Sequence, residues 1–146
     1  MRKYMMIIGC LFCCVPLLAQ VKTKAKPRHV AGLALVGGKG IYEKYCLTCH
    51  QADGSGVPNM NPPLIRTSYV LGDRTRLIKV VLNGFSESVD IDGESYSNEM
   101  PSHDFLKDQE IAAVLTYIRK SFTNKAGPIT TAQVKTVRAT NKKKTT

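Results

Sequence analysis

The alternation of apolar and polar positions divides the chain into a few short amphipathic segments separated by long polar or Pro/Gly-rich stretches. Asp73 is placed to cap a helix carrying Leu77, Ile78, Val81 and Leu82 on one face, and Asn83-Gly84 is its stop signal. The clearest stripe is Ile111, Val114, Leu115 and Ile118, which predicts a helix from about Asp108 to Phe122. Asp108 and Glu110 suit the positive end of its dipole, and Arg119 and Lys120 the negative end. A shorter helix is expected over Ile41–Cys46, led in by Gly37-Gly38-Lys39-Gly40. Ser86–Ser97 alternates weakly around Asp92-Gly93 and predicts a small hairpin or loop. Thr130 and Gln133 fit a capping box for a short surface helix running to about Arg138. Residues 53–63 contain Pro58, Pro62 and Pro63 and must be loop.

The first twenty residues follow a different rule. Arg2 and Lys3 precede an almost unbroken apolar run from Tyr4 to Leu18, and Leu17-x-Ala19 prepares a cut after Ala19. Residues 1–19 therefore read as a secretory signal peptide. The run is shorter than the ~20 apolar residues of a membrane-spanning helix, so no integral span is expected after cleavage. Cys10 follows a small residue, but the apolar stretch ahead of it is too short to favour a lipid anchor there. The exported chain is thus expected in the periplasm or outside the cell.

Charge sharpens the division into segments. All eleven acidic residues lie within 36–127, whereas 20–35 and 128–146 carry only bases. The excess of +10 belongs to the ends of the chain and not to a basic face on a folded module, which argues against nucleic acid as a partner. The expected organisation is a basic flexible linker over 20–35, one domain over 36–127, and a short helix with a basic tail over 128–146.

Of five cysteines, three depart with the signal peptide. The remaining two stand in Cys46-Leu47-Thr48-Cys49-His50, the attachment sequence for c-type haem. Two thiols can form thioethers with the haem vinyl groups, and the adjacent histidine supplies an axial ligand. A zinc site would want two ligand pairs and a thioredoxin-like pair a preceding strand, and the sequence offers neither. A large covalent cofactor also meets a physical need: a domain of this size, with short helices and no disulfides, has little apolar surface with which to stabilise itself.

The iron needs a sixth ligand, and the exported chain holds two methionines. Met60 is close to His50 in sequence, on the loop that must stay on the histidine side. Met100 is far enough along to round the haem edge, and Pro101 stiffens its loop. Met100 is the expected ligand and His103 the alternative. A thioether raises the haem potential, as suits an electron carrier. The competing class, a haem enzyme or gas-binding sensor, would need an open or labile sixth position.

Residues 36–127 resemble class I mono-haem cytochromes c. Gly38, Tyr42, Cys46-x-x-Cys49-His50, Pro62-Pro63-Leu64, Met100-Pro101 and Val114-Leu115-x-Tyr117 carry the likeness. The resemblance implies an all-α cytochrome c fold, three to four short helices and long loops wrapped around one covalent haem c. It implies that Gly38 and Tyr42 pack the first helix on the last. It also implies that the carbonyl of Pro62 (or Pro63) accepts the His50 N–H. Gln51-x-Asp53-Gly54-x-Gly56, Gly72-Asp73-x-x-Arg76-Leu77-Ile78 and the Met100-Pro101 loop are similar to small periplasmic cytochromes that serve quinoprotein dehydrogenases. By that likeness the partners are a quinoprotein dehydrogenase and a terminal oxidase or other cytochrome, and the chain is not an enzyme. Lys107, where a capping Ser or Thr would be usual, and the polar Asn98–Ser102 are the departures.

Overall fold

The computed structural model describes residues 28–141. The expected signal peptide, Cys10, the start of the linker and Lys142–Lys144 lie outside the described residues. Within them the chain runs α1 (Arg28–Tyr45), α2 (Leu47–His50), α3 (Ser68–Leu71), α4 (Arg74–Asn83), β1 (Val89–Ile91), β2 (Glu94–Tyr96), α5 (Asp108–Lys120) and α6 (Thr131–Thr140). The architecture is helical, with one two-stranded antiparallel hairpin in the register Val89↔Tyr96 and Ile91↔Glu94. Asp92 and Gly93 form its two-residue turn, both with positive φ, the geometry that matches strand twist.

Two boundaries differ from expectation. The linker anticipated through residue 35 ends earlier, because residues 28–35 are already the first turns of α1. Ala31, Leu33, Ala34 and Leu35 are good helix formers, and extending an existing helix is easier than starting one. The domain boundary anticipated at 127 also moves. Ile129, Val134 and Val137 are buried in the same core as α4 and α5, so α6 belongs to the folded body. Val134 and Val137 sit one turn apart and face that core, a spacing too short to stand out among basic neighbours. The helix count grows to six among the described residues because α2 and α3 are single turns that no periodicity can announce.

The caps follow the sequence. The Asp73 carboxylate accepts the Arg76 N–H at 2.6 Å and starts α4. Gly84, at φ 70°, ends it. At α5 the Glu110 side chain accepts the Lys107 N–H at 2.7 Å, so half of a capping box survives without Ser or Thr. Thr130 and Gln133 close the full box at α6, with bonds of 3.2 and 2.9 Å.

The core forms where α1 crosses α5. Gly38 lies directly against the Ala113 carbonyl and the Tyr117 Cβ, so the crossing is closer than any side chain would permit. One turn on, the Tyr42 ring packs 5.5 Å from Tyr117 and 5.2 Å from Phe122, all tilted or edge-on as aromatic quadrupoles prefer. The predicted stripes of α4 and α5 are buried: Leu77, Ile78, Val81 and Leu82 from one, Ile111, Val114, Leu115 and Ile118 from the other.

A candidate haem-binding cleft

Cys46 stands between α1 and α2, and the chain stays helical through the motif. Cys46 N–H donates to the Tyr42 carbonyl at 2.8 Å, and His50 N–H donates to the Cys46 carbonyl at 2.9 Å. Gln51 then takes a left-handed φ of 63° and turns the chain away. The Tyr42 hydroxyl fixes that turn by donating to the Gln51 carbonyl at 2.6 Å. Burial, and then the neighbouring Cys46 thiol, pushes the phenol well above its ordinary range, so it stays a donor. Sequence reading placed Tyr42 in the helix contact and missed this second duty.

His50 Nδ1 lies 2.9 Å from the Pro62 carbonyl oxygen. A carbonyl can only accept, so Nδ1 carries the proton and the lone pair resides on Nε2. Burial lowers the pKa of the imidazole and His103 lowers it further, while the Pro62 bond works against both. The ring is held neutral with one nitrogen free for a metal. Cys46 and Cys49 are both free thiols, and burial followed by repulsion from Cys49 pushes Cys46 up to about 11.

These groups open onto one cleft. Its walls are Pro62, Pro63 and Leu64 of the loop, Tyr69 and Val70 of α3, Leu77, Val80 and Val81 of α4, and Val114, Leu115 and Ile118 of α5. Phe85, Met100, Pro101, His103 and Leu106 complete it. Met100 is held by a two-bond bridge with Phe85, at 2.9 and 3.0 Å, and Gly84 lies against its carbonyl where a Cβ would collide. The Ser102 hydroxyl donates to the Leu82 carbonyl at 2.6 Å, and His103 N–H to Val81 at 2.9 Å. Met60 is 45% exposed and does not line the cleft. His103 does line it, beside Tyr45 and Phe105, and its buried Nδ1 has no hydrogen-bond partner.

An apolar slot with two thiols, one oriented imidazole and one thioether on its walls suits a flat, largely hydrophobic group carrying iron. The cytochrome c family model matches residues 35–122. The chain belongs to the cytochrome c family. Cytochrome c-552 of Thermus thermophilus is 37% identical over 121 residues, covering 75% of this chain and 81% of that protein. The cytochrome c subunit of the quinone-type alcohol dehydrogenase of Gluconacetobacter polyoxogenes is 36% identical over 117 residues, 73% of this chain but 23% of the relative. The corresponding subunit of Gluconobacter oxydans is 32% identical over 111 residues.

The family carries electrons and binds haem c covalently, and Cys46 and Cys49 are in place for it. No helix among the described residues is long and apolar enough to cross a membrane. Two residues of this cytochrome whose bonding the sequence did not reveal are structural hubs. Asn124 is buried and bonds to Leu64, Arg66 and Ile118. Arg138 bonds to Asp104, Leu106 and Asp108. Asn and Arg in polar surroundings give no periodic signal, so neither could be singled out beforehand.

Proposed function

We propose that this cytochrome is an exported one-electron carrier, with haem joined to Cys46 and Cys49 and its iron held by His50 and Met100. When bound, haem c supplies a reversible Fe(III)/Fe(II) couple. The chain's own work is to fix that couple in place. His50 presents a neutral imidazole whose basicity is raised by donation to Pro62, and the Phe85 bridge and Gly84 seat Met100 on the cleft wall. The apolar walls would shield a haem seated there from water and help to keep both ligands engaged. The observation that carries the reading is the Nδ1–Pro62 bond, because it leaves Nε2 free within a cleft that Met100 also lines.

The likeness to dehydrogenase cytochrome subunits supports a quinoprotein dehydrogenase as donor, with a terminal oxidase or another cytochrome as acceptor, in the periplasm. The reading is tested by optical spectra of the haem-loaded protein in both oxidation states. Wild type is expected to be low-spin, with a weak far-red band when oxidised. Met100→Ala is expected to lose that band, lower the potential and gain affinity for carbon monoxide, while Met60→Leu changes nothing. Haem is expected to survive acid–acetone extraction, and Cys46→Ala to leave one thioether. A high-spin wild type would transfer the reading to an enzyme or sensor. Loss of low-spin character in His103→Ala but not in Met100→Ala would make His103 the ligand.

A further inference from the structure

The segment that carries Pro62 has no helix or strand, only an isolated bridge between Val57 and Asn61 with two bonds of 2.8 Å, yet the His50 imidazole depends on where the Pro62 carbonyl sits. Two of the fastenings of that loop are local: Gly56 N–H donates to the His50 carbonyl at 3.1 Å, and Leu64 N–H to the Gly54 carbonyl at 2.7 Å. A third comes from the far end of the chain. Asn124, 3% exposed just beyond α5, donates through Nδ2 to the Leu64 carbonyl at 2.8 Å and to the Ile118 carbonyl at 2.9 Å. Its Oδ1 accepts the Arg66 N–H at 2.8 Å. One amide thus joins the C-terminal turn of α5 to both sides of Ile65.

We infer that Asn124 is a positioning residue for His50, holding the Pro62 carbonyl in line with the imidazole N–H by way of Leu64 and Arg66. The inference rests on the reading of His50 as a haem ligand. The link between Leu64 and Pro62 is stiff. Pro63 has a fixed φ and Pro62, itself a proline, precedes it, so few torsions remain to absorb a shift of Leu64. Movement at Leu64 therefore reaches the Pro62 oxygen. A weaker Nδ1–H···O bond makes the imidazole less basic, which disfavours Fe(III) and raises the potential.

The test uses the haem-loaded protein and two substitutions at buried hydrogen-bonding sites. Asn124→Leu removes all three bonds at similar volume. Thr116→Val is the control: the Thr116 hydroxyl bonds only to Ile129, at 3.1 Å in both directions, on a part of α5 that does not hold the Pro62 loop. Both are expected to melt earlier. Only Asn124→Leu is expected to speed exchange of the His50 Nδ1 proton, about tenfold, and to move the electron-transfer equilibrium about threefold, or about 30 mV upward at 59 mV per tenfold. If Asn124→Leu does not fold, Asn124→Asp is read the same way, since it keeps the acceptor for Arg66 and loses the donation to Leu64. Unchanged exchange and potential in a variant that melts earlier would overturn the inference and leave the His50 reading standing. A wild type without histidine-ligated iron would overturn both.

Discussion

A single methyl group at Gly38 would meet the Ala113 carbonyl and the Tyr117 Cβ at once, and both belong to the rigid body of α5. Neither can move without parting the two helices. Gly38→Ala is therefore expected to cost about 1–3 kcal/mol by overpacking, even though alanine favours helix. Gly40→Ala, with open space around it, is expected to stabilise by a few tenths up to about 1 kcal/mol. Denaturant melts of the two variants, side by side, check the contrast. At the same scale the His50 imidazole has its pKa lowered on folding, mainly by burial. The unfolded chain takes up that proton first as the pH falls, so stability is complete above about 6.5 and declines below it by up to about 1.4 kcal/mol per pH unit. Chemical denaturation of the haem-loaded protein, in which iron on Nε2 would likewise keep the folded imidazole unprotonated, is expected to show that slope between pH 7.5 and 5, and a flat profile would refute it. The cysteine motif and His50 were legible because their chemistry is written in adjacent letters. The Tyr42–Gln51 bond and the Asn124 hub were not, since each depends on a left-handed or irregular backbone that brings distant carbonyls to one side chain.

Among the elements, α4 and α5 were legible because a full apolar face repeats along each and the capping residues stand at their ends. The hairpin was half legible, through Asp92-Gly93 alone. Helix α6 was found, but its attachment to the core was not: two valines and an arginine do not declare what they touch. In the structure, Arg138 spreads its guanidinium over the Asp104 and Leu106 carbonyls at 2.9 and 2.6 Å and pairs with Asp108 at 2.6 Å. It thereby pins the segment between Met100 and α5 from outside the residues matched by the family model. Asn141 adds a reciprocal amide pair with Asn83 at the end of α4, at 3.2 and 2.7 Å. Arg138→Ala is expected to cost about 1–2 kcal/mol, less than three fully buried bonds to a guanidinium would give, because the pair is a quarter to a third exposed. Far-red absorbance followed through a thermal melt is expected to fade before helical ellipticity in this variant and together with it in wild type. Simultaneous loss in both would show that α6 stabilises the body without steadying the Met100 segment.

For the molecule as a whole, the same residues serve as core and as cleft wall. Leu77, Val81, Val114, Leu115 and Ile118 appear in both, so a haem seated in the cleft would take the place where a larger protein puts its interior. Without it the helices would have to close on one another or leave apolar walls to water, and a body this small has little other burial to draw on. The haem-free chain is expected to be largely unfolded, with weak far-UV ellipticity and poorly dispersed amide resonances; a dispersed spectrum would refute this. The fold class was readable from that deficit together with the attachment motif, whereas the limits of the body were not, because α1 and α6 extend it through stretches that look like tails.

The contact at Gly38 also sets an order in time. Its partners on α5 lie far along the chain from it, and contacts that span so much chain close late. Until they close, the two thiols have no finished helix pair around them. Whatever joins haem to Cys46 and Cys49 would thus meet an open stretch of peptide, with the docking of α5 onto α1 sealing the product afterwards.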